Sequence, residues 1–165
     1  MCIRDSLSGA RLSNADLSQS ELTGADLSNA ELYNTQLIGA NLSEANLAGA
    51  DLQKAQLTNT NLYRANLTSA WLASAQLQDA NLSQANLFKS TLNSANLQDA
   101  DLSQANLIEA SLIKANLQDV DLQDADLNKT ILFKASVSKA ALIEAQLCLT
   151  SLPDYTMHSR DCDRT

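Results

Sequence analysis

The chain has 165 residues and a formal net charge of −8, with aromatics at 4% and a single proline, Pro153. That length suits one domain, and the acidic balance argues against direct nucleic-acid binding. No apolar run approaches the roughly 18 residues that a membrane span needs.

Residues 1–6, MCIRDS, fit nothing that follows. Back-translated, they look like a transposon-end sequencing adapter and are expected to be a scar, with the true start of the chain missing. With Cys2 discounted, Cys148 and Cys162 remain, too few for a disulfide framework. Both are expected to be ordinary thiols, and a cytoplasmic location is favoured.

From Leu7 to Leu152 leucine occupies every fifth position, thirty in all, with Val137 the only substitution. Two residues before each, from Ala10 to Thr150, stands Ala, Ser, Thr or once Val. A helix would spread such leucines over every face, since five residues advance it by about 500°. A flat strand would throw them to alternate faces, because its side chains repeat every two residues. The lattice closes if the chain turns a corner once per pentapeptide and points Leu and the preceding small residue inward.

A second period identifies the larger unit. SAQLQDANLSQANL (74–87) recurs twenty residues later as SANLQDADLSQANL (94–107), with 12 of 14 positions identical. Four five-residue sides make a square coil, and residues twenty apart then stack about 4.8 Å apart. Columns of like side chains are expected: Asn46, Asn66, Asn86 and Asn106; Asn41, Asn61 and Asn81; Gln36, Gln56 and Gln76; Gln78, Gln98 and Gln118. Lys89, Glu109 and Lys129 should stack with alternating sign. The second residue after Leu is Gly or Asn in eight of eleven repeats from Gly9 to Asn59, and never from Arg64 to Glu144. A type II turn wants Gly or Asn there, so type II corners are expected in the N-terminal coils and negative-φ corners later.

The units AELYN, ANLSE, ADLQK and ANLTS make residues 7–152 resemble the pentapeptide-repeat proteins. The resemblance implies an all-β fold, a right-handed quadrilateral parallel β-helix, here a solenoid of about seven coils with four pentapeptides each. Residues 153–165 form the tail or cap. Their opening, LPDYT, resembles the LPDGT-type ending of many members, with Tyr155 where glycine is usual, an unfavourable residue for a tight turn.

No catalytic or metal site and no cofactor are expected. His158, the sole histidine, has no nucleophile at a recognisable spacing and reads as a solvated tail residue. Asp99, Asp101, Asp119 and Asp121 could meet across one corner, where a solvated acidic face is favoured over a calcium site. Numbering faces from the Leu7 column, faces three and four carry ten acids and two bases, including Asp79, Asp99, Asp101, Asp119, Asp121 and Asp124. Faces one and two carry five acids and six bases, along with Phe88, Trp71, Ile108, Ile113, Ile131 and Phe133. All six are candidates for an apolar interface, the last four expected to form one patch, unless the tail folds back over it. These features predict a non-enzymatic interaction rod with a protein partner or a second copy of itself, and no small-molecule ligand. One alternative is an acidic DNA mimic that binds DNA gyrase, as some members of the family do; another is a repeat segment of a larger protein.

Overall fold

A leucine needs a buried place at every fifth residue, and a computed structural model, which describes residues 6–162, shows how the backbone provides it. From Leu7 to Leu112 each leucine carbonyl accepts from the amide three residues on, as Ala10 N donates to Leu7 O at 2.9 Å and Ala95 N to Leu92 O at 3.0 Å. The residue before that amide has positive φ, from Gly9 at 65° through Lys114 at 60° to Lys134 at 57°, while the residue after the leucine does not. Positive φ at the third turn residue alone defines a type II turn. Four such corners return the chain above itself. Parallel bridges join residues twenty apart from Ser6↔Asp26 through Ser111↔Ile131 and on to the pair β1 (Asn116–Leu117) and β2 (Ser136–Val137). This regular part makes about six and a half coils, a rod about 30 Å long at ~4.8 Å per coil.

Type II corners do not give way to negative-φ corners after Arg64. Positive φ persists at Asp79, Gln84, Lys89, Asp99, Gln104 and every fifth residue to Lys134. The cause is the neighbouring coil. Each corner amide donates to a carbonyl one coil on, as Asp99 N does to Gln118 O at 3.0 Å, and a different turn would rotate that peptide out of the ladder. Left-handed φ costs a non-glycine residue about 1–2 kcal/mol, which the ladder bond and the leucine burial it secures offset.

Leucine and alanine fill the interior, with Leu27 through Leu132 nearly all fully buried. Threonine replaces alanine there at little cost because a carbonyl has two lone pairs. Thr60 Oγ1 donates to Leu37 O at 2.7 Å and Thr130 Oγ1 to Leu107 O at 2.7 Å, each reaching the coil before. Serine, one methyl shorter, bonds within its own corner, Ser90 Oγ to Leu87 O at 2.7 Å.

The outward amide columns form only in part. Asn66 Nδ2 donates to Asn46 Oδ1 at 3.0 Å, Asn106 to Asn86 at 3.1 Å and Asn61 to Asn41 at 3.2 Å. The same oxygens accept from the amide two residues on, as Asn86 Oδ1 does from Phe88 N at 3.2 Å. Thus Asn or Asp before leucine braces its own corner while Asn also ties to the coil below. At Asn86 the column is broken, because its Nδ2 turns to Thr68 Oγ1 at 3.1 Å. The glutamine columns do not ladder. One methylene longer, Gln56 and Gln76 bend back to the carbonyls of Lys54 and Ser74, and Gln98 turns to Asp99. Lys89, Glu109 and Lys129 stack as expected, at 3.6 and 3.5 Å.

The regular coils depart from the 7–152 span at both ends. Ser6 already bridges Asp26, so the first coil includes it; residues 1–5 and 163–165, which complete the expected scar and tail, lie outside the described residues. Beyond Val137 the corners at 139 and 144 are replaced by α1 (Lys139–Glu144), capped by Ser138 Oγ accepting from Ala141 N. KAALIE is made largely of strong helix formers, and Ser138 supplies an N-cap for it, so the helix replaces two corners here. Register resumes at Asp126↔Gln146 and Ile131↔Ser151. The chain then closes with β3 (Thr150–Ser151) antiparallel to β4 (Met157–His158). Between them Tyr155 holds φ 69°, with its amide on Leu152 O at 3.2 Å, so the tight turn forms despite the missing glycine. Asp154 supports it by accepting from the Thr156 amide and hydroxyl. Cys148 and Cys162 are not free thiols: they form a disulfide with their Cα atoms 4.7 Å apart.

Candidate interaction surface

Each pentapeptide sends three side chains outward: the residue before leucine and the first two after it. Stacking by twenty sorts them into columns, and two regions stand out. On the acidic side, Asp79, Asp99 and Asp119 occupy one corner column, all with positive φ, and are linked through Asp79 N to Gln98 O and Asp99 N to Gln118 O. Asp101 bridges Asp121 two residues farther along, and Asp124 takes the next corner. Asp101 and Asp121 each accept from the amide two residues on at 2.8 Å. Among the described residues no group of three or more His, Cys, Asp or Glu is disposed to hold a metal ion.

Local hydrogen bonds from the residue two positions on shift three titrations along the chain. Asp16 and Asp26 are held below the ordinary carboxylate range, Asp16 chiefly by the Ser18 amide and Asp26 chiefly by the Ser28 hydroxyl and then its amide. Asp154 is lowered likewise, first by the Thr156 hydroxyl and then by its amide.

On the opposite side the structure stacks Phe88 on Ile108 and Ile113 on Phe133, with Ile131 on the face between these two corners. Ile108, Ile113 and Phe133 are half-buried and Ile131 is 41% exposed. Lys89 covers the Phe88 ring at 4.9 Å and Lys134 the Phe133 ring at 5.1 Å, so lysine stems border the patch. Trp71, 57% exposed, shares the Ile131 column but stands three coils away, with Thr91 and Ser111 between them. It lines a separate shallow cavity of about 260 Å³ together with Gln53, Ala73 and Thr91.

The tail folds back toward this patch, the alternative that the sequence left open, but does not bury it. Tyr155 lies against Phe133, ring centroids 3.9 Å apart, so the tail covers part of it. Yet Tyr155 is itself 72% exposed, and Met157, paired with Ser151 above Ile131, is 60% exposed. The tail therefore extends the apolar surface to the end of the rod. The signal was present in the tail's Tyr and Met, but only the β3–β4 pairing shows which face they join. His158 is half-buried in β4, and its Nδ1 accepts from Arg160 N at 3.2 Å.

The model of the pentapeptide repeats matches residues 6–43, 40–75, 65–104, 95–132 and 110–147, in 8 copies. This chain belongs to the pentapeptide-repeat family. No curated protein sequence matches this family member. Among solved structures it is similar to HetL, a pentapeptide repeat protein involved in heterocyst differentiation regulation from the cyanobacterium Nostoc sp. strain PCC 7120. The identity is 32% over 93% of this chain and 87% of HetL, with a TM-score of 0.46. A pentapeptide repeat protein from the Arabidopsis thaliana thylakoid lumen is 27% identical over 74% of this chain and 71% of its own, with a TM-score of 0.51. QnrB1, a plasmid-mediated fluoroquinolone resistance protein, is 19% identical over 86% of this chain and 79% of its own, with a TM-score of 0.61, a likeness of fold. No helix among the described residues is long and apolar enough to cross a membrane.

Proposed function

We propose that this pentapeptide-repeat protein is a rigid, non-enzymatic interaction rod, coiled right-handed like the family it resembles. It engages a protein partner or a second copy of itself through the C-terminal ends of faces one and two. One observation carries the reading: Ile131, Tyr155 and Met157 are exposed together, on a rod whose other outward columns are mostly polar. Apolar groups gathered at the centre of a lysine-rimmed surface are what an interface requires. Sedimentation of the purified chain over a wide concentration range reads self-association, and affinity capture reads a separate partner. Ile131→Asp with Met157→Asp should abolish whichever is found while circular dichroism keeps the β signal. Binding undiminished in that variant would discard this face.

A second reading, an acidic DNA mimic acting on gyrase, is favoured by the single column of Asp79, Asp99 and Asp119. Gyrase supercoiling assays decide it: protection from inhibitors that disappears on changing these three to Asn would support the mimic over the rod.

A further inference from the structure

Interior coils satisfy their edges through the next coil. A leucine amide donates to the carbonyl nineteen residues on, as Leu127 N does to Gln146 O at 3.0 Å. An alanine carbonyl accepts from the amide twenty-one residues on, as Ala125 O does from Gln146 N at 2.9 Å. In the last turn, Leu147 N and Ala145 O would need the backbone of a further coil. Side chains of the tail stand in for it. Asp161 Oδ2 accepts from Leu147 N at 3.0 Å, and the Arg160 guanidinium donates to Ala145 O. Arg160 Nε also pairs with Asp161 at 2.9 Å, and Asp161 N returns to Leu147 O at 3.0 Å. One carboxylate and one guanidinium thus imitate the acceptor and donor of a missing peptide, with Asp161 only 5% exposed. On the neighbouring side the residue just before β4 performs the same service, Thr156 O accepting from Leu152 N at 2.8 Å.

This cap is what keeps the open strand edge from serving as a template for other chains. Its noncovalent hold on the core is smaller than an interior coil's: α1 has no fully buried residue, with Ala141 and Leu142 partly buried against the core, and Tyr155 and Met157 remain largely exposed. The covalent tie is Cys148–Cys162, which joins the corner just after Leu147 to the residue just after Asp161. Both cysteine residues are half-buried rather than sealed in the core, and exchange with an external thiol requires access of that kind. We infer that the disulfide is a redox latch on the C-terminal cap: oxidised, it holds Asp161 and Arg160 on the last coil edge; reduced, it lets residues 153–162 leave that edge while the coils up to Val137 stay folded. The step is ordinary thiol–disulfide exchange. A dithiol reductant supplies two electrons and two protons, the S–S bond breaks to give two cysteine thiols, and the reductant becomes a disulfide. Closing a loop of this size shifts a local opening equilibrium by about a hundredfold, which makes the cap the segment most sensitive to redox conditions.

Hydrogen exchange measured by mass spectrometry tests this, in a Cys2→Ser background so that one cysteine pair remains. Peptide mapping without reductant should recover Cys148 linked to Cys162. Dithiothreitol should speed exchange at the Leu147, Leu152 and Asp161 amides by about tenfold or more, leaving the peptide around Leu97 unchanged. Cys148→Ser with Cys162→Ser should show the same fast exchange without reductant. Absence of the linkage after air oxidation, cap exchange equal in oxidised and reduced protein, or uniform loss of protection along the whole rod would each overturn the latch.

Discussion

Leu97 sits midway along the solenoid and is wholly buried, stacked in one column between Leu77 and Leu117. Leu97→Ala removes three carbons, a transfer loss of about 2.4 kcal/mol at ~0.8 per methylene. A cavity term adds to this when the surroundings cannot collapse. Here they are held apart, because Leu97 N donates to Asn116 O at 2.8 Å and Leu77 N to Asn96 O at 2.7 Å, which fixes the coils above and below. A total of about 3–4 kcal/mol follows, in the middle of the range for buried leucine. For a chain of this size that lowers the melting temperature by roughly 6–16 °C. The control is Gln98→Ala, one residue along and outward-facing, whose side chain bonds only to the exposed Asp99; its cost should stay within about 0.5 kcal/mol. Thermal and urea denaturation followed by circular dichroism measure both. Equal shifts for the two variants would refute the inward–outward assignment of the lattice.

Gln104→Pro should cost about 3 kcal/mol or more, since Gln104 holds φ 57°, which proline cannot adopt, and its amide donates to Gln123 O at 2.8 Å. Gln104→Gly should fall within about 1 kcal/mol, relief at the corner opposing a freer unfolded chain; denaturant melts showing the two alike would mean the corner is not type II. Acid should destabilise the fold in a defined window. The folded-state carboxylates of Asp16, Asp26 and Asp154 are depressed, so their contribution is complete above the ordinary carboxylate range and lost as pH falls through their lower values. Melting temperature measured from neutrality down should hold steady above about pH 5 from these groups and drop below about pH 4. Asp16→Asn with Asp26→Asn should flatten that drop.

The interior of the fold was legible in the amino-acid pattern because one constraint governs it: every fifth side chain must be buried, and twenty residues are needed to return to the same column. The corners were misread because local preference was weighed without the neighbouring coil. Lys114 and Asp99 dislike positive φ on their own, yet each has an amide that must meet a carbonyl above it. The two expected glutamine columns failed for a reason that lies in a single methylene, which lets Gln76 reach back to the Ser74 carbonyl in the preceding corner. The helix at Lys139–Glu144 was passed over because the leucine lattice was read through to Leu152, although Ser138 followed by KAALIE carries the signal of a capped helix. Of the candidate surface, Ile108, Ile113, Ile131 and Phe133 could be grouped by arithmetic alone. Tyr155 and Met157 could not, because their position depends on an antiparallel return with no period to announce it.

Because corners recur every five residues and columns every twenty, this rod treats core and surface as two separately geared systems. Insertion or loss of one pentapeptide leaves every leucine facing inward. It nevertheless turns everything downstream by a quarter of a revolution about the long axis. The Asp79 column would then run on into a different face, and Ile131 would look out at right angles to its present direction. Slippage of a single unit during replication can therefore re-aim half of the molecule without unfolding any of it. A change of four units restores the original bearing and alters only the reach.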